Sequence, residues 1–258
     1  LLQQTPATPA ADSAPLLNAV EQLLFRQLKN FTLVDSELTL QSQYTPDIVI
    51  AIKQLNWRNE GNRHQGSGEI AIAGVTGNTS GFILDLHGKT LASSNGQLYL
   101  SSSELDVLPW FEQLLPQSKK LTRATINVQA WGDIQQGVLT KLLLVPGDNR
   151  LVWRHEGKAQ QLQLGNGQLL WQPTADGWQL ASSALKIHSA DRSWHDFQLQ
   201  LSRQQGSYRG SLQQLQLAVL LPLAQLLAED VSGLSQLLQY QFDGRLTQLS
   251  LQLDEKDW

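Results

Sequence analysis

The chain contains 258 residues, of which 41% are hydrophobic and only 16% are charged, whereas typical soluble domains carry about 25% charged residues. The formal net charge is −4 and, apart from the pair Lys119-Lys120, the lysines and arginines are scattered singly, which excludes the clustered basic patches that bind nucleic acids or anionic membranes. The absence of cysteine excludes disulfides and cysteine-ligated metals. Neutral polar residues replace the missing charges, with 33 Gln beside 49 Leu, and this favours strands with one apolar and one uncharged polar face.

The first thirty residues predict a linker followed by one helix. Residues 1–14 are rich in Pro, Ala and Thr without periodicity, which is typical of a linker. Pro15 suits the first turn of a helix over 15–28. Apolar side chains recur at helical spacing and predict docking onto the following sheet: Leu16, Val20, Leu24 and Leu28. No apolar run reaches the roughly 18 residues needed to span a bilayer, so we expect any membrane anchor to lie upstream of Leu1.

From Phe31 onward the apolar period changes from 3.6 to 2, which indicates β-strands. The clearest alternating runs lie at 48–52, 82–86, 124–130, 142–144 and 197–201. Clusters of Asn and Gly separate such runs, and Gly147-Asp148-Asn149 and Gly165-Asn166-Gly167 predict tight hairpin turns. Strands at this spacing predict an antiparallel meander with far more strand than helix.

Two Pro-containing interruptions of the strand pattern resemble each other. Segments 105–115 and 217–227 each run from a strand into Pro, and then into one or two helical turns that end in a Leu pair. Self-similarity at a fixed spacing predicts two repeat units, 31–119 and 120–230. It also predicts short helices near 108–115 and 220–240.

No pattern in the chain indicates catalysis or metal binding. The five histidines lie in separate predicted strands or turns without a second ligand at suitable spacing, so we interpret them as surface residues. Gly66-Ser67-Gly68 lacks the spacing and the strand-to-helix context of a nucleophile elbow. Asp35 and Glu37 share one strand face, which is more typical of a solvated surface than of a carboxylate pair. We therefore predict no enzyme activity, no cofactor and no metal.

Ordered motifs along most of the chain give a resemblance to a known family. They are LFRQL at 24–28, FTLVDSEL at 31–38, QLNW at 54–57, Arg63-His64, Gly68, Leu105-Asp106, Pro109-Trp110, AWGD at 130–133, Gly177-Trp178 and GRL at 244–246. Through these motifs the chain, from Pro15 to Leu253, resembles the AsmA-like family in its YhdP-type branch.

The resemblance implies an elongated, curled antiparallel sheet that forms a taco-like groove, of which residues 15–258 are one repeating segment. It implies a Gram-negative periplasmic protein, anchored in the inner membrane by a helix absent from this chain. The implied ligands are phospholipid acyl chains, passed between the inner and outer membranes, and the implied partner is the remainder of the same long chain. The family contributes no catalytic residue.

Shared period-two phase predicts a set of apolar residues that face one groove interior. They are Ile48, Ile50, Ile52, Ile70, Ile72, Phe82, Leu84, Leu86, Ile126, Val128, Leu142 and Leu144.

Two other functions remain open at this point. A closed β sandwich or β helix would bury the same stripes and act as a non-catalytic scaffold or a polysaccharide-binding module of the cell envelope. Trp171 and Trp178, which flank the Ala175-Asp176-Gly177 turn, are the aromatic pair that would suit a sugar platform. A hydrolase with unrecognised residues is the second alternative.

Overall fold

The computed structural model describes residues 21–40, 48–72, 79–109, 121–155, 157–189, 192–216 and 244–254. All fifteen strands in this part of the chain belong to one antiparallel sheet. They are β1 (Asn30–Leu40), β2 (Ile48–Glu60), β3 (Arg63–Ile72), β4 (Ser80–His87), β5 (Asn95–Asp106), β6 (Leu121–Gln135), β7 (Val138–Pro146), β8 (Asn149–His155), β9 (Lys158–Gly165), β10 (Leu169–Thr174), β11 (Gly177–Ser182), β12 (Leu185–Ser189), β13 (Arg192–Gln204), β14 (Ser207–Gln216) and β15 (Arg245–Asp254). The predicted fold class, a mostly β protein built as a curled antiparallel sheet, is confirmed.

The sheet consists of a main path of twelve strands and a short wall of three. The main path pairs in the order β1-β2-β3-β4-β5-β6-β7-β10-β11-β13-β14-β15. The short wall, β8, β9 and β12, joins the main path at β6 and at β13. β7 and β8 lie end to end along β6, because β6 pairs with β7 through residues 128–135 and with β8 through residues 121–125.

The short wall meets the main path along a line of backbone kinks, which we call the crease. It consists of Glu104, Asn127, Gly147–Asp148, Asn166–Gly167 and Ser183–Ala184. Asn127 joins three strands there: its Nδ2 donates to Asp148 O at 2.6 Å, its Oδ1 accepts from Glu104 N at 2.8 Å, and its backbone N donates to Asn149 Oδ1 at 2.6 Å. Bulges and kinks of this kind bend strands, so the aligned kinks curl the sheet into a groove.

The crease corrects two predicted turns. Gly147-Asp148-Asn149 and Gly165-Asn166-Gly167 are not hairpins, since the strands that flank each of them pair with other strands and not with each other. Asn166 and Gly167 do adopt positive φ, 55° and 84°. Positive φ serves a kink in a continuing strand as well as a tight turn, and the two cannot be distinguished from local sequence.

A bulge in β2 keeps its apolar residues on one face. The register with β3 shifts between Ile52 and Gln54, which makes Lys53 the extra residue. The shift brings the odd-numbered Trp57 onto the same side as the even-numbered Ile52. Opposite this bulge, Asp35 of β1 has a positive φ of 46° and interrupts the regular strand. The alternation that predicted Asp35 and Glu37 on one strand face therefore does not hold there.

Three buried clusters lie on one face of the sheet, which we call the inner face. They are Phe25, Trp57 and Leu86; Leu121 and Trp153; and Leu185, Ile187, Trp194 and Phe197. On the central strands, large apolar residues of the outer face are solvent-exposed, among them Ile83 at 56% and Trp131 at 40%. On the inner face such exposure occurs on the two edge strands, at Leu33 of β1 (36%) and Leu251 of β15 (58%). Across the central strands, this asymmetry is what a curled sheet with the inner face on its concave side requires.

A short helical segment that precedes β1 packs against the inner face. Residues 21–27 are helical, with a π-helical turn at Leu23–Gln27. Trp57 Nε1 donates to Leu24 O at 2.9 Å, and the Phe25 ring packs against Trp57. The predicted docking of the 15–28 helix is thus seen for its described part. Of the helix predicted near 108–115, only residues 108 and 109 are described, and both are helical. The linker 1–14 and the helix near 220–240 lie outside the described residues. In the described ranges, no helix has the length and hydrophobicity to cross a membrane.

His64 corrects the interpretation of the histidines as surface residues. Its side chain is 1% exposed. Nδ1 lies 2.6 Å from Asn59 Oδ1 and Nε2 lies 2.8 Å from Gly88 O, with the Phe25 ring centroid at 4.2 Å. Asn59 Nδ2 in turn donates to the carbonyls of Leu24 and Leu28, so the buried polar groups connect the helical segment to the sheet.

Candidate functional site

A continuous row of apolar residues and glycines crosses the inner face of all twelve main-path strands. Each member is the direct register partner of the next, so all share one face. We call it the first row: Phe31, Trp57, Gly66, Leu84, Leu98, Gly132, Leu142, Trp171, Leu180, Leu201, Gly210 and Leu251. Eleven inter-strand steps of about 4.8 Å give it a length of about 50 Å.

A second row runs parallel to the first, two residues along each strand and therefore about 7 Å away. Its members are Leu33, Leu55, Gly68, Phe82, Leu100, Ala130, Leu144, Leu169, Ser182, Leu199, Leu212 and Leu249. Ser182 is its one polar member, and its Oγ accepts from Leu199 N at 2.7 Å. Neither row contains a charged residue, so together they form an apolar strip along the groove.

The glycines of the first row make room for large neighbours. A Cβ placed on Gly66 would lie 2.8 Å from the indole of Trp57, and one on Gly132 would lie 2.8 Å from Leu139 Cδ1. Both distances are far below van der Waals contact. Trp57 therefore covers the position that Gly66 leaves open, and the row stays apolar without interruption.

The strand register brings the predicted groove residues together on the inner face. Leu84 and Leu142 belong to the first row, and Phe82 and Leu144 to the second. The other members of the set occupy neighbouring positions of the same face: Ile50, Ile52, Ile70, Leu86, Ile126 and Val128. Ile48 pairs with Leu40, and Ile72 with Ile50, but the side chains of Ile48 and Ile72 lie outside the described part of the structure.

Several residues of the two rows were not among the predicted set. They include Trp57, Leu98, Leu100, Trp171, Leu180 and Leu201. Leu98 and Leu100 alternate as clearly as Leu84 and Leu86, so the period-two signal alone could have found them. The bulge at Lys53 interrupts the alternation between Ile52 and Trp57, so the period-two pattern could not assign Trp57 to the same face. Trp171 and Trp178, considered as a sugar platform, both lie on the inner face and are partly buried.

The outer face carries the ion pairs of the central strands. Arg63 donates to Asp85 through Nε at 3.0 Å and Nη2 at 2.5 Å, and Gln65 Nε2 donates to the same carboxylate at 3.1 Å. The hydrogen bonds from Arg63 hold the pKa of Asp85 below its ordinary value, against a smaller opposing effect of burial. In these central strands the ion pair thus lies on the face opposite the apolar strip.

The inner face also holds a cavity of about 140 Å³ where the short wall leaves the main path. Thr125, Asn149 and Arg150 contribute to its lining beside six apolar residues: Val107, Ala124, Ile126, Leu151, Leu162 and Leu164. Among the described residues, no group of three or more His, Asp or Glu side chains is placed to hold a metal ion. The arrangement offers apolar contact over a long distance.

Comparison with known proteins agrees with the sequence motifs. The E. coli (strain K12) protein described as "Intermembrane phospholipid transporter YhdP" is 24% identical over 193 residues, which are 74% of this chain and 15% of that protein. The chain thus spans less than a fifth of the length of this relative. No solved structure matches the present chain. A family model described as "YhdP protein" matches residues 2–257, and because this match covers nearly the whole chain, the chain belongs to the YhdP family.

Proposed function

We propose that this chain is a segment of a bridge-like lipid transporter whose inner face shields phospholipid acyl chains from water. The observation that carries the proposal is the uncharged double row across twelve strands. The E. coli relative, described as an intermembrane phospholipid transporter, identifies the class of ligand. Acyl chains are the part of a phospholipid that an apolar strip can bind.

The depth of the groove suits an acyl chain. β6 runs eight residues from the crease at Asn127 to its end at Gln135, which is about 27 Å of strand. The hydrocarbon of one bilayer leaflet is about 15 Å deep. A chain lying across the groove therefore fits between the crease and the rim, with the polar headgroup at or beyond the rim.

The length and uniformity of the strip suit movement along it. Exposing a sixteen-carbon chain to water costs about 0.8 kcal/mol per methylene, on the order of 12 kcal/mol in all. A lipid on the first row meets Leu, Trp, Phe or Gly on each successive strand, so its transfer free energy changes little from one strand to the next. Movement then requires neither chemistry nor an energy source within this segment, and we propose no catalytic role for it.

Photo-crosslinking from β7 tests the proposal. Leu142 and Leu143 are adjacent and both partly buried, but Leu142 lies in the first row whereas Leu143 pairs with Trp131 on the outer face. A benzophenone amino acid at Leu142 should crosslink to phospholipid from vesicles of phosphatidylethanolamine and phosphatidylglycerol. The same group at Leu143 is the matched control and should not. Equal yields from both positions, or no lipid adduct from Leu142, would contradict the proposal.

The location and partners of the segment follow from the same proposal. We place it in the periplasm of a Gram-negative cell, anchored to the inner membrane by a helix of the longer protein, with the remainder of that chain extending the groove. The repeat units 31–119 and 120–230 remain a prediction, in which each unit contributes strands to one shared sheet. β5 and β6 pair directly across the boundary between them.

One observation favours the alternative of a polysaccharide-binding scaffold. Tyr99 and Trp131 lie side by side on the outer face, with ring centroids 5.2 Å apart and Trp131 40% exposed. Exposed aromatic pairs of this kind suit a sugar platform. Replacing both residues by Ala should leave lipid crosslinking from Leu142 unchanged. Loss of binding to isolated envelope polysaccharide in that double variant would support the alternative.

A further inference from the structure

Arg203 is a charged residue on the inner face, at the rim of the groove where the hairpin turns lie. It follows Leu201 of the first row by two residues on β13, so it lies on the same face and about 7 Å closer to the turn at Gln205–Gly206. Strand register extends this inner-face level from Asn59 of β2 to Leu253 of β15. Among the described strand residues at this level, no other is Lys, Arg, Asp or Glu.

Aromatic residues flank Arg203 on both neighbouring strands. Trp178 of β11 and Tyr208 of β14 are its direct register partners. The Cζ atom of Arg203 lies 5.8 Å from the centroid of the Tyr208 ring, which is within the range of a cation–π contact. All three side chains are partly buried. The contact favours a guanidinium that stays at the inner face over one that extends into bulk water.

We propose that Arg203 binds the phosphodiester of a phospholipid whose acyl chains lie on the adjoining part of the apolar strip. The inference rests on the proposed function. A guanidinium donates two parallel hydrogen bonds to a pair of phosphate oxygens. The strip beside it is accessible to a ligand, because the first row continues from Leu201 through Gly210 to Leu251, which is 58% exposed. Acyl chains on these strands bring the phosphate, at their rim end, to the level of Arg203.

The proposal gives the strip one preferred position for a phospholipid. On the central strands the same level is occupied by Leu86, Gly96 and Ile134, which offer a phosphate no positive charge. On β13 the phosphate meets Arg203. The segment therefore holds phospholipids most strongly near β13, and there it distinguishes them from neutral lipids such as diacylglycerol, which have the acyl chains without the phosphate.

Competition between a phospholipid and diacylglycerol tests the inference. The chain is incubated with vesicles of phosphatidylglycerol that contain a minor share of diacylglycerol with the same acyl chains. Bound lipids are extracted from the repurified protein and counted by mass spectrometry. R203Q should lower the ratio of bound phosphatidylglycerol to diacylglycerol about threefold or more. This is less than the roughly tenfold effect of a buried charge-assisted hydrogen bond, because Arg203 is partly exposed.

R209Q is the matched control. Arg209 follows Tyr208 on β14, is exposed and lies on the outer face, so R209Q removes the same charge and should leave the ratio unchanged. An unchanged ratio in R203Q overturns the inference, as does an equal fall in R209Q. If R203Q does not fold, R203K takes its place, because an ammonium keeps the charge but loses the bidentate geometry. An unchanged ratio in R203K then overturns the inference.

Glycerol phosphate separates a lipid site from a site for free phosphate esters. It has the phosphate without acyl chains, so an excess of it should leave the ratio of the unsubstituted chain unchanged. A fall of the ratio to the R203Q value would overturn the assignment to lipid.

The two proposals fail in distinguishable ways. Absence of both lipids from the unsubstituted chain would overturn the proposed function and this inference together. Bound lipid whose ratio does not respond to substitution of Arg203 would overturn this inference alone.

Discussion

Replacing Leu84 by Asp tests whether the first row is an open groove wall or part of a closed core. Leu84 lies between Gly66 and Leu98 in the row and is partly buried. Full burial of a Leu contributes about 1.5–3 kcal/mol, so losing a partly buried one should cost about 1–2 kcal/mol. The new carboxylate can face water in an open groove and then adds little further cost. The total loss in free energy of unfolding should therefore stay at about 2 kcal/mol, below the roughly 4–5 kcal/mol or more that is typical of severe core defects.

The lipid should be affected more than the fold. An acyl chain that covers the new carboxylate imposes a desolvation cost of several kcal/mol, and each 1.4 kcal/mol lowers occupancy tenfold. We therefore expect L84D to retain its denaturation transition and to lose at least nine-tenths of its bound lipid in native mass spectrometry. I83D is the matched control, because Ile83 is the preceding residue of β4, faces outward and is 56% exposed.

Two results would refute this reasoning. If L84D fails to fold while I83D folds, the row is a closed core. If both variants lose lipid equally, or neither does, the bound lipid is not on the inner face.

Three further predictions follow from individual contacts. Trp57→Ala should lower the free energy of unfolding by about 3–5 kcal/mol in urea denaturation, because Trp57 is only 7% exposed. It should also release the helical segment, because Trp57 donates to Leu24 O, and faster proteolysis after Arg26 would show this release. Asn127→Ala removes two side-chain hydrogen bonds at the crease and should cost about 2 kcal/mol in urea denaturation; an unchanged midpoint would show that the crease does not depend on it. Arg63 lowers the pKa of Asp85, so this contact stabilises the fold above the ordinary carboxyl pKa of about 3.9 and is lost as the pH falls through the lowered value. In Asp85→Asn, the free energy of unfolding should therefore decrease slightly less steeply as the pH falls into the acid range. The effect should be small because the pair is partly exposed. The same acid dependence in both proteins would contradict a stabilising contact between Arg63 and Asp85.

The sequence was informative wherever a periodic pattern reflects a local rule. The alternation at Ile50 and Ile52, or at Phe82, Leu84 and Leu86, is a property of each strand alone, because successive side chains point to opposite faces. It therefore predicted strands, and it predicted which residues of one strand share a face. The absence of a second ligand at suitable spacing was a poor guide to exposure for His64, whose burial depends on Phe25 and Asn59 from other elements.

Only the tertiary structure decided how the separate stripes combine. Register determines which residues of adjacent strands are partners, and it joined Leu84 to Leu98 and Leu142 to Trp171 in one row. It also showed that Gly165-Asn166-Gly167 is a kink, because the partners of β9 and β10 are on other strands. By itself the sequence determined the strands, the faces within them and the family resemblance, since these depend on neighbours along the chain. The groove, its crease and its cavity depend on pairing between residues distant in sequence, and a single sequence contains no direct record of those pairs.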